Sequence, residues 1–183
     1  RGVDENRVSI SVDGLPQAET ETNVVFSSYG LINSARPQFE TEFIKKVEIK
    51  KGASSFEHGT GALGGAVNFE TKEAHTMIEP GRIYGIQGKI GGDNMAKGRI
   101  YSLGGAVVYK GIEALALYAE RTGHEVRNFG TGELRRSIFA TRPDPMEYRQ
   151  QSFLGKIAYR HGDHKLTASY YSQNKVTDSE VWS

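Results

Sequence analysis

The second half of the chain is divided into short segments in which apolar and polar side chains alternate. In residues 99–109, Tyr101, Leu103 and Val107 share one parity, whereas Ser102 and Gly104 share the other. Alternation with a period of two is typical of a β-strand that has one apolar face. The same pattern predicts five strands, at residues 82–91, 99–109, 112–121, 151–159 and 165–174.

This periodicity fits two architectures equally well. One is a water-soluble antiparallel sheet whose apolar face covers a core, and the other is a transmembrane β-barrel whose apolar face meets lipid. Loop length favours the barrel, because residues 110–111 and 160–164 form short turns whereas residues 123–150 form a long loop. Membrane barrels have at least about eight strands, so five strands predict an incomplete barrel. An aromatic girdle near the strand ends is predicted at Tyr84, Tyr109, Tyr159, Tyr170 and Tyr171.

The first part of the chain predicts a separate, smaller unit. Residues 8–13 alternate as a strand and end in an Asp13-Gly14 turn, and residues 43–49 form a second strand. Residues 18–38 have no period and are predicted to be a long loop, and residues 73–80 are predicted to be a linker. The least strand-like segment of the second half is residues 112–120, whose Ala, Leu and Glu favour helix.

Residues 59–64 match the G-x-G-x-x-G pattern of dinucleotide-binding proteins. That site requires a helix directly after the glycines, so that its N-terminus meets the pyrophosphate. Here Val67, Phe69 and Thr71 alternate with polar residues like a strand. The glycines therefore indicate a tight backbone turn, not a nucleotide site.

Composition and motifs exclude several classes of function. The 183 residues have a net charge of +1 and no cysteine, so neither a nucleic-acid footprint nor thiol chemistry is expected. No G-x-S-x-G motif occurs, and the His124-Glu125 pair lacks the second histidine of H-E-x-x-H. We expect that the chain is not an enzyme. It has no signal peptide and starts at Arg1, so we also expect an internal piece of a longer protein.

Five segments resemble the TonB-dependent outer-membrane receptors, in the branch that receives haemoglobin, transferrin or lactoferrin. They read RGVDENRVSISVDGLPQAE, KKVEIKKGASS, GTGALGGAVNFETK, YAERTGHEVRNFG and PDPMEYRQQSFLGKIAYR. The resemblance implies a mainly β fold. Residues 1–75 would be the C-terminal part of a plug domain, a small mixed α/β unit. Residues 76–183 would be the first antiparallel strands of a transmembrane β-barrel, which the chain leaves incomplete.

The resemblance also implies a function. The chain would belong to a receptor in the outer membrane of a Gram-negative bacterium that imports haem or iron from a host carrier protein, with haemoglobin the favoured carrier. Its partners would be the TonB–ExbB–ExbD complex, the host carrier and outer-membrane lipid, and no nucleic acid. It would have no intrinsic cofactor, because haem or ferric iron is the transported ligand. The alternatives are a transferrin, lactoferrin or siderophore receptor of the same family, and a soluble antiparallel-β binding module.

Glu40 and Glu42 are the first candidate ligand-binding residues. Transferrin-receptor relatives carry an acidic E-x-E-Y-E run before the second strand, and ferric iron prefers such oxygen ligands. In this chain the run keeps Glu40 and Glu42 but has Gln38 and Thr41 in place of the first acid and the tyrosine. The departure favours haem or haemoglobin over free iron. The competing interpretation is two carboxylates on the solvated face of a strand.

Four further residues are candidates on chemical grounds. Haem iron accepts an axial histidine, and His58 and His124 lie in the glycine-rich turn and at the start of the long loop. Arg135 and Arg136 lie within that loop, where arginine is a frequent interface anchor. The alternatives are ordinary surface histidines and a loop that is charged for solubility.

Overall fold

The chain forms two compact units, Arg1–Lys72 and Glu73–Ser183. The structure is a computed structural model, and it describes residues 8–17, 39–52, 64–126, 143 and 145–179. Both units are built mainly from β-strands, which confirms the mainly β fold. Within these described residues, no helix is long and apolar enough to cross a membrane.

The first unit contains a four-stranded mixed sheet with the order β2-β1-β4-β3. Strand β1 pairs in parallel with β4, and the other two pairs are antiparallel. A 3₁₀ turn at Thr41–Phe43 leads into β3 and buries the Phe43 side chain. The described residues of this unit include no α-helix, so they show only the β part of the expected mixed unit. The strands are β1 (Val8–Val12), β2 (Leu15–Pro16), β3 (Ile44–Lys51) and β4 (Gly65–Thr71).

The Asp13-Gly14 turn is confirmed, and its geometry explains the residue choice. Both residues have positive φ, 50° at Asp13 and 79° at Gly14. Such a two-residue turn matches the twist of a hairpin, and Asp and Gly tolerate that backbone region best. The Asp13 carboxylate also accepts hydrogen bonds from the backbone N–H of Thr71 at 2.8 Å and from its hydroxyl at 2.6 Å. The turn is therefore tied to the end of β4.

The second unit is an antiparallel meander of five strands in sequential order, β5-β6-β7-β8-β9. All five predicted strands are present, including β7, whose composition favours helix. Within the described residues the two outer strands do not pair with each other, so the sheet is open, as expected of an incomplete barrel. The strands are β5 (Tyr84–Gly92), β6 (Arg99–Tyr109), β7 (Ile112–His124), β8 (Met146–His161) and β9 (His164–Ser179).

Several predicted boundaries were wrong, including the end of β9, which is Ser179 and not residue 174. The long loop is shorter than residues 123–150, because β7 runs to His124 and β8 begins at Met146. Residues 73–80 are not a plain linker, because a 3₁₀ turn at Ala74–Thr76 contacts β6 and β7 and buries Ala74. The chain after this turn lies so close to β5 that a side chain at Gly85 would collide with the Met77 carbonyl oxygen. We call residues 74–78 the strap.

The five-stranded sheet has two chemically different faces, and pairing without a register shift keeps each residue on its face from strand to strand. One face, which we call the apolar face, carries large side chains that are well exposed, up to 82% at Ile90. The other, which we call the polar face, carries Ser102, Gln150 and Ser152 and contacts the strap at Gly104. Exposed members of the apolar face include Tyr84, Ile86, Leu103, Ile112, Ile157, Tyr159, Leu166 and Tyr170.

Candidate functional site

An open cavity of about 300 Å³ lies at the end of the sheet opposite the short turns. It is lined by Arg121 and Tyr148 of the polar face, by Arg99 and Thr122 of the apolar face, and by the glycines at the ends of the β5–β6 connection. The Tyr148 ring lies against Gly123, where a Cβ atom would be only 2.7 Å from the ring. The Lys175 ammonium lies 5.2 Å from the centroid of the same ring. The backbone of Gly123 and the ammonium group of Lys175 thus position the Tyr148 ring.

The polar face below this cavity is built from small and uncharged polar side chains. Ser152 is 1% exposed and Gln150 is 6% exposed, and the Gln150 amide nitrogen lies 3.4 Å from the Ser152 hydroxyl. Gln150 pairs in register with Arg121 on one side and Lys175 on the other. The arrangement presents two cations next to buried neutral hydrogen-bonding groups. Such a surface suits an anionic or hydrogen-bonding ligand.

The short-turn end of the polar face carries an ion-pair cluster around Glu113. Its carboxylate lies 3.1 Å from the Lys165 ammonium and 3.6 Å from the Arg160 guanidinium. The Glu113 side chain is mostly buried, so these contacts are screened less than ordinary surface pairs. The acid is therefore already neutralised by the cations beside it.

The structure places Glu40 and Glu42 in the 3₁₀ turn before β3, so the interpretation as carboxylates on a solvated strand was wrong. Glu40 is 1% exposed, and its carboxylate accepts a hydrogen bond from the backbone N–H of Glu42 at 3.0 Å. This carboxylate stabilises the start of the turn as an N-cap. Glu42 lies in the first turn with a side chain that is more accessible. A ligand-binding role for either residue stays a prediction.

His124 is the last residue of β7. The prediction that it lies at the start of the long loop was therefore wrong. Its Nδ1 atom is 3.3 Å from a carboxylate oxygen of Glu147, the residue opposite it on β8. By register it belongs to the apolar face. In the part of the chain that the structure describes, no group of three His, Asp or Glu side chains is arranged to hold a metal ion.

The remaining predicted residues, His58, Arg135 and Arg136, lie outside the described residues. The structure identifies three further candidate residues that the sequence analysis did not propose, namely Arg121, Tyr148 and Lys175. They are far apart in the chain and meet only through the register of β7, β8 and β9. Parity was an available signal for Lys175, which lies opposite Leu166 and Tyr170 of its own strand. It was no signal for Arg121, which shares its parity with Leu115 and Leu117.

Comparison with known proteins agrees with this fold. Residues 1–66 match the family model of the TonB-dependent receptor plug domain. The whole chain also resembles the FrpB iron transporter of Neisseria meningitidis (F5-1 variant), with a TM-score of 0.68 over 95% of this chain and 28% of that one. Because the identity is 19%, this likeness speaks for the fold alone.

Similar sequences include proteins of Haemophilus and Neisseria. The haemoglobin and haemoglobin-haptoglobin-binding protein of Haemophilus ducreyi is 35% identical over 100% of this chain and 20% of its own length. Haemoglobin-haptoglobin utilization protein B of Neisseria meningitidis is 34% identical over 89% of this chain and 24% of its own length. Lactoferrin-binding protein A of N. meningitidis is 44% identical over 71% of this chain and 14% of its own length.

The plug-domain match, the open antiparallel sheet and the similar sequences together assign the class of protein. The chain belongs to the family of TonB-dependent receptors. It spans about a fifth of the length of the H. ducreyi relative, at 20%.

Proposed function

We propose that this chain is part of an outer-membrane receptor of a Gram-negative bacterium that imports haem or iron from a host carrier protein, with haemoglobin as the favoured carrier. The observation that carries the proposal is the two-faced open sheet, joined to a region that matches the plug-domain model. TonB, ExbB and ExbD are the energising partners that the family implies. The protein is proposed to be a transporter without catalytic residues.

The dimensions of the apolar face support insertion in a bilayer. On β6 the face runs from Tyr109 at the short-turn end to Tyr101, eight residues away. At about 3.3 Å per residue and a tilt of about 40°, this spans roughly 20 Å, close to the apolar band of about 25 Å on outer-membrane barrels. Tyr159, next to the neighbouring turn, adds a second aromatic residue at the same boundary. The apolar face would meet lipid, and the polar face would line the lumen.

The division of the chain between plug and barrel is part of the proposal. We assign residues 1–75 to the plug and residues 76–183 to the first barrel strands. The plug-domain match over residues 1–66 and the division of the structure after Lys72 support an assignment near this boundary.

Two observations favour haem or haemoglobin over free ferric iron. The H. ducreyi relative, a haemoglobin and haemoglobin-haptoglobin-binding protein, covers the whole chain, whereas the lactoferrin-binding relative covers 71% of it. In addition, the Glu40 carboxylate caps a turn and is almost fully buried, so it offers little to a cation arriving from solvent. The higher identity of the lactoferrin-binding relative, 44%, is the argument for the second candidate, a receptor for transferrin or lactoferrin iron.

Growth on defined iron sources tests the function. The gene for the full-length receptor is deleted, and growth is measured on haemoglobin, haem, transferrin, lactoferrin or ferric salts as the only iron source. We expect growth on haemoglobin to be lost and to return with the intact gene only in a strain that has TonB. Loss on transferrin or lactoferrin with normal growth on haemoglobin would replace the first candidate by the second. Normal growth on every source would contradict both.

The loop between β7 and β8 is the proposed contact with the carrier protein. Its base is held firmly, because Glu125 and Met146 exchange hydrogen bonds: the Glu125 N–H donates to the Met146 carbonyl at 2.9 Å, and the Met146 N–H donates to the Glu125 carboxylate at 3.1 Å. Loops on a rigid base commonly carry binding residues. Within the loop, Arg135 and Arg136 are proposed to face a carboxylate-rich surface of the carrier.

A deletion separates carrier binding from passage of haem. Removing residues 131–140 from the full-length receptor should weaken the binding of haemoglobin to whole cells and leave uptake of free haem unchanged, since the base of the loop is retained. The control is a deletion of the same length in another long loop of the full-length receptor. Unchanged haemoglobin affinity at normal surface levels of receptor would show that the loop is only a connector.

A further inference from the structure

The strap, residues 74–78, begins with a turn that satisfies its own polar groups. The backbone N–H of Thr76 donates to the Glu73 carbonyl at 3.0 Å, and that of Met77 donates to the Ala74 carbonyl at 3.1 Å. The Thr76 hydroxyl donates to the Glu73 carbonyl at 2.7 Å and accepts from the Glu73 N–H at 3.3 Å. The turn therefore packs against an apolar surface without leaving these polar groups unpaired.

Three neighbouring strands of the sheet contact the strap. On β5, Gly85 lets the backbone approach so closely that a Cβ atom there would collide with the Met77 carbonyl oxygen. On β6, a Cβ atom at Gly104 would lie 3.1 Å from the Met77 methyl group. On β7, Leu115 and the strap residue Ala74 line one cavity of about 30 Å³, which holds no more than about two water molecules. The strap is thus seated on the polar face of three strands.

Leaving this seat would expose apolar surface to water. Ala74 is 4% exposed, and so are Leu115 and Leu117 of the strands beneath the strap. Exposure of such side chains is unfavourable in proportion to the apolar area that water reaches. By these contacts the strap is a packed part of the sheet and not a loose connection.

The change from one compact unit to the other falls at a single peptide bond. The backbone N–H of Lys72 donates to the carbonyl of Phe43, in the first unit, at 2.8 Å. The next N–H along the chain, that of Glu73, donates to the Thr76 hydroxyl of the strap. The two units divide between these same residues, Lys72 and Glu73.

We propose that the strap is a fixed anchor: it stays on β5, β6 and β7 throughout import, and the rearrangement of the plug that opens a passage is confined to residues before Glu73. The inference rests on the proposed function, because an importer that holds a plug passes cargo only when the plug changes its conformation. The mechanical boundary then lies between Lys72 and Glu73, ahead of the assigned end of the plug at residue 75. The competing arrangement is a strap that leaves the sheet with the plug in every cycle.

A covalent bridge between the strap and the sheet tests whether the strap moves. The 183 residues contain no cysteine, and any cysteine elsewhere in the full-length receptor is replaced by serine. The variant is A74C/T167C, whose two positions line the same small cavity. The matched control is A158C/T167C, which lines that cavity too but bridges β8 to β9 at two residues paired in register. In cells that produce the receptor, the thiols are joined by a short bifunctional methanethiosulfonate.

Initial uptake is then measured before and after reduction, with the iron source on which the receptor supports growth. We expect both bridged receptors to keep the uptake rate of their reduced forms to within about twofold, since neither bridge restrains a part that moves. Loss of uptake in bridged A74C/T167C that returns on reduction, with normal uptake in the control, would overturn the inference. Failure of A74C/T167C to form the bridge, where the control forms it, would contradict the seating of the strap itself.

Thiol labelling of the purified full-length receptor in rising urea decides the inference without any cargo. The single variants A66C, A74C and A158C replace alanines that are 5%, 4% and 7% exposed, so all three thiols start almost equally protected. Ala66 lies in β4 of the first unit, and Ala158 lies in β8 of the sheet. We expect A66C to react at lower urea and A74C to react together with A158C, because local opening follows cooperative units.

The other labelling results count against the anchor. Reaction of A74C together with A66C, ahead of A158C, would assign the strap to the plug and overturn the inference. Reaction of all three at one urea concentration would contradict a boundary between Lys72 and Glu73. If the unmodified receptor imports none of the iron sources, the proposed function fails, and the labelling order alone decides whether the strap is an anchor.

Discussion

Asp13 should be one of the most sensitive positions in the first unit. Its carboxylate satisfies two groups of Thr71, the backbone N–H at 2.8 Å and the hydroxyl at 2.6 Å, and Thr71 is 2% exposed. Asp13 also has a φ of 50°, which most side chains disfavour. Replacing Asp13 by alanine therefore removes two charge-assisted hydrogen bonds and introduces backbone strain.

The size of the effect follows from these two terms. A buried donor left without its acceptor costs about 1–3 kcal/mol, so the loss of both bonds should cost about 3 kcal/mol. Alanine in the left-handed region adds about 1 kcal/mol. Asp13→Gly separates the two terms, because glycine adopts this φ without strain and should cost about 3 kcal/mol alone. Asp13→Asn keeps one oxygen acceptor and should cost about half as much.

Native-state hydrogen exchange of the full-length receptor measures this directly at the Thr71 amide. A loss of about 3 kcal/mol corresponds to exchange faster by about a hundredfold, since each factor of ten is about 1.4 kcal/mol. The expected order of exchange rates is Asp13→Ala, then Asp13→Gly, then Asp13→Asn, then the unmodified receptor. Unchanged protection of Thr71 in Asp13→Ala would refute the reasoning. Equal rates for the alanine and glycine variants would refute the strain term only.

Three further predictions concern the second unit. Gly123→Ala places a methyl group against the Tyr148 ring and should destabilise the sheet by about 1–3 kcal/mol, measured by denaturant unfolding. Gly104→Ala directs a methyl group at the strap and should increase proteolytic cleavage of residues 74–78. The Glu125 carboxylate accepts hydrogen bonds from the backbone N–H of Met146 and from the backbone N–H of Glu125 itself. Both bonds hold the pKa of Glu125 below its usual 4.5. This stabilisation is present above pH 4.5 and is lost as pH falls through the lowered pKa, so protection of the Met146 amide should decrease over that range.

Controls for these predictions come from the same sheet. Gly88→Ala adds a methyl group where no other atom lies within 4 Å, so it should change neither stability nor cleavage. An equal effect of Gly88→Ala and Gly123→Ala would point to a general intolerance of alanine in the strands. Glu125→Gln cannot ionise, and its Met146 amide should show no such acid-dependent loss. A decrease of the same size in Glu125→Gln would assign the pH dependence to another group.

The sequence predicted the existence of the strands much better than their ends. Alternation is a local property, so five strands were found from it even where propensity disagreed, as in β7. The end of β7 and the start of β8 were missed because His124 and Met146 continue the ladder through pairing with the opposite strand, not through their own pattern. Strand ends of this kind depend on the partner strand, which a single segment does not reveal.

Contacts between distant residues were beyond sequence reasoning for the same reason. Asp13 was recognised as a turn residue, but its bonds to Thr71 join positions 58 residues apart. Glu40 was considered as a ligand because of its chemistry, and its use as a buried cap depends on the local turn. Arg121, Tyr148 and Lys175 became a group only when the register placed them close together on three neighbouring strands.

The composition of β7 has its explanation in the strap. On β7 the Leu115 and Leu117 side chains lie on the polar face and are 4% exposed, and Leu154, which pairs with Leu117 on β8, lies on the same face. A Cβ atom at Gly104, opposite Leu117, would touch both the Leu117 side chain and the Met77 methyl group, so strap and leucine meet over a position that must stay small. The leucines of β7 thus belong to an apolar patch of the polar face that contacts the strap. The helix-like pattern of Ala and Leu in this strand therefore reflects a tertiary contact, and burial against the strap and two paired strands outweighs its helix propensity.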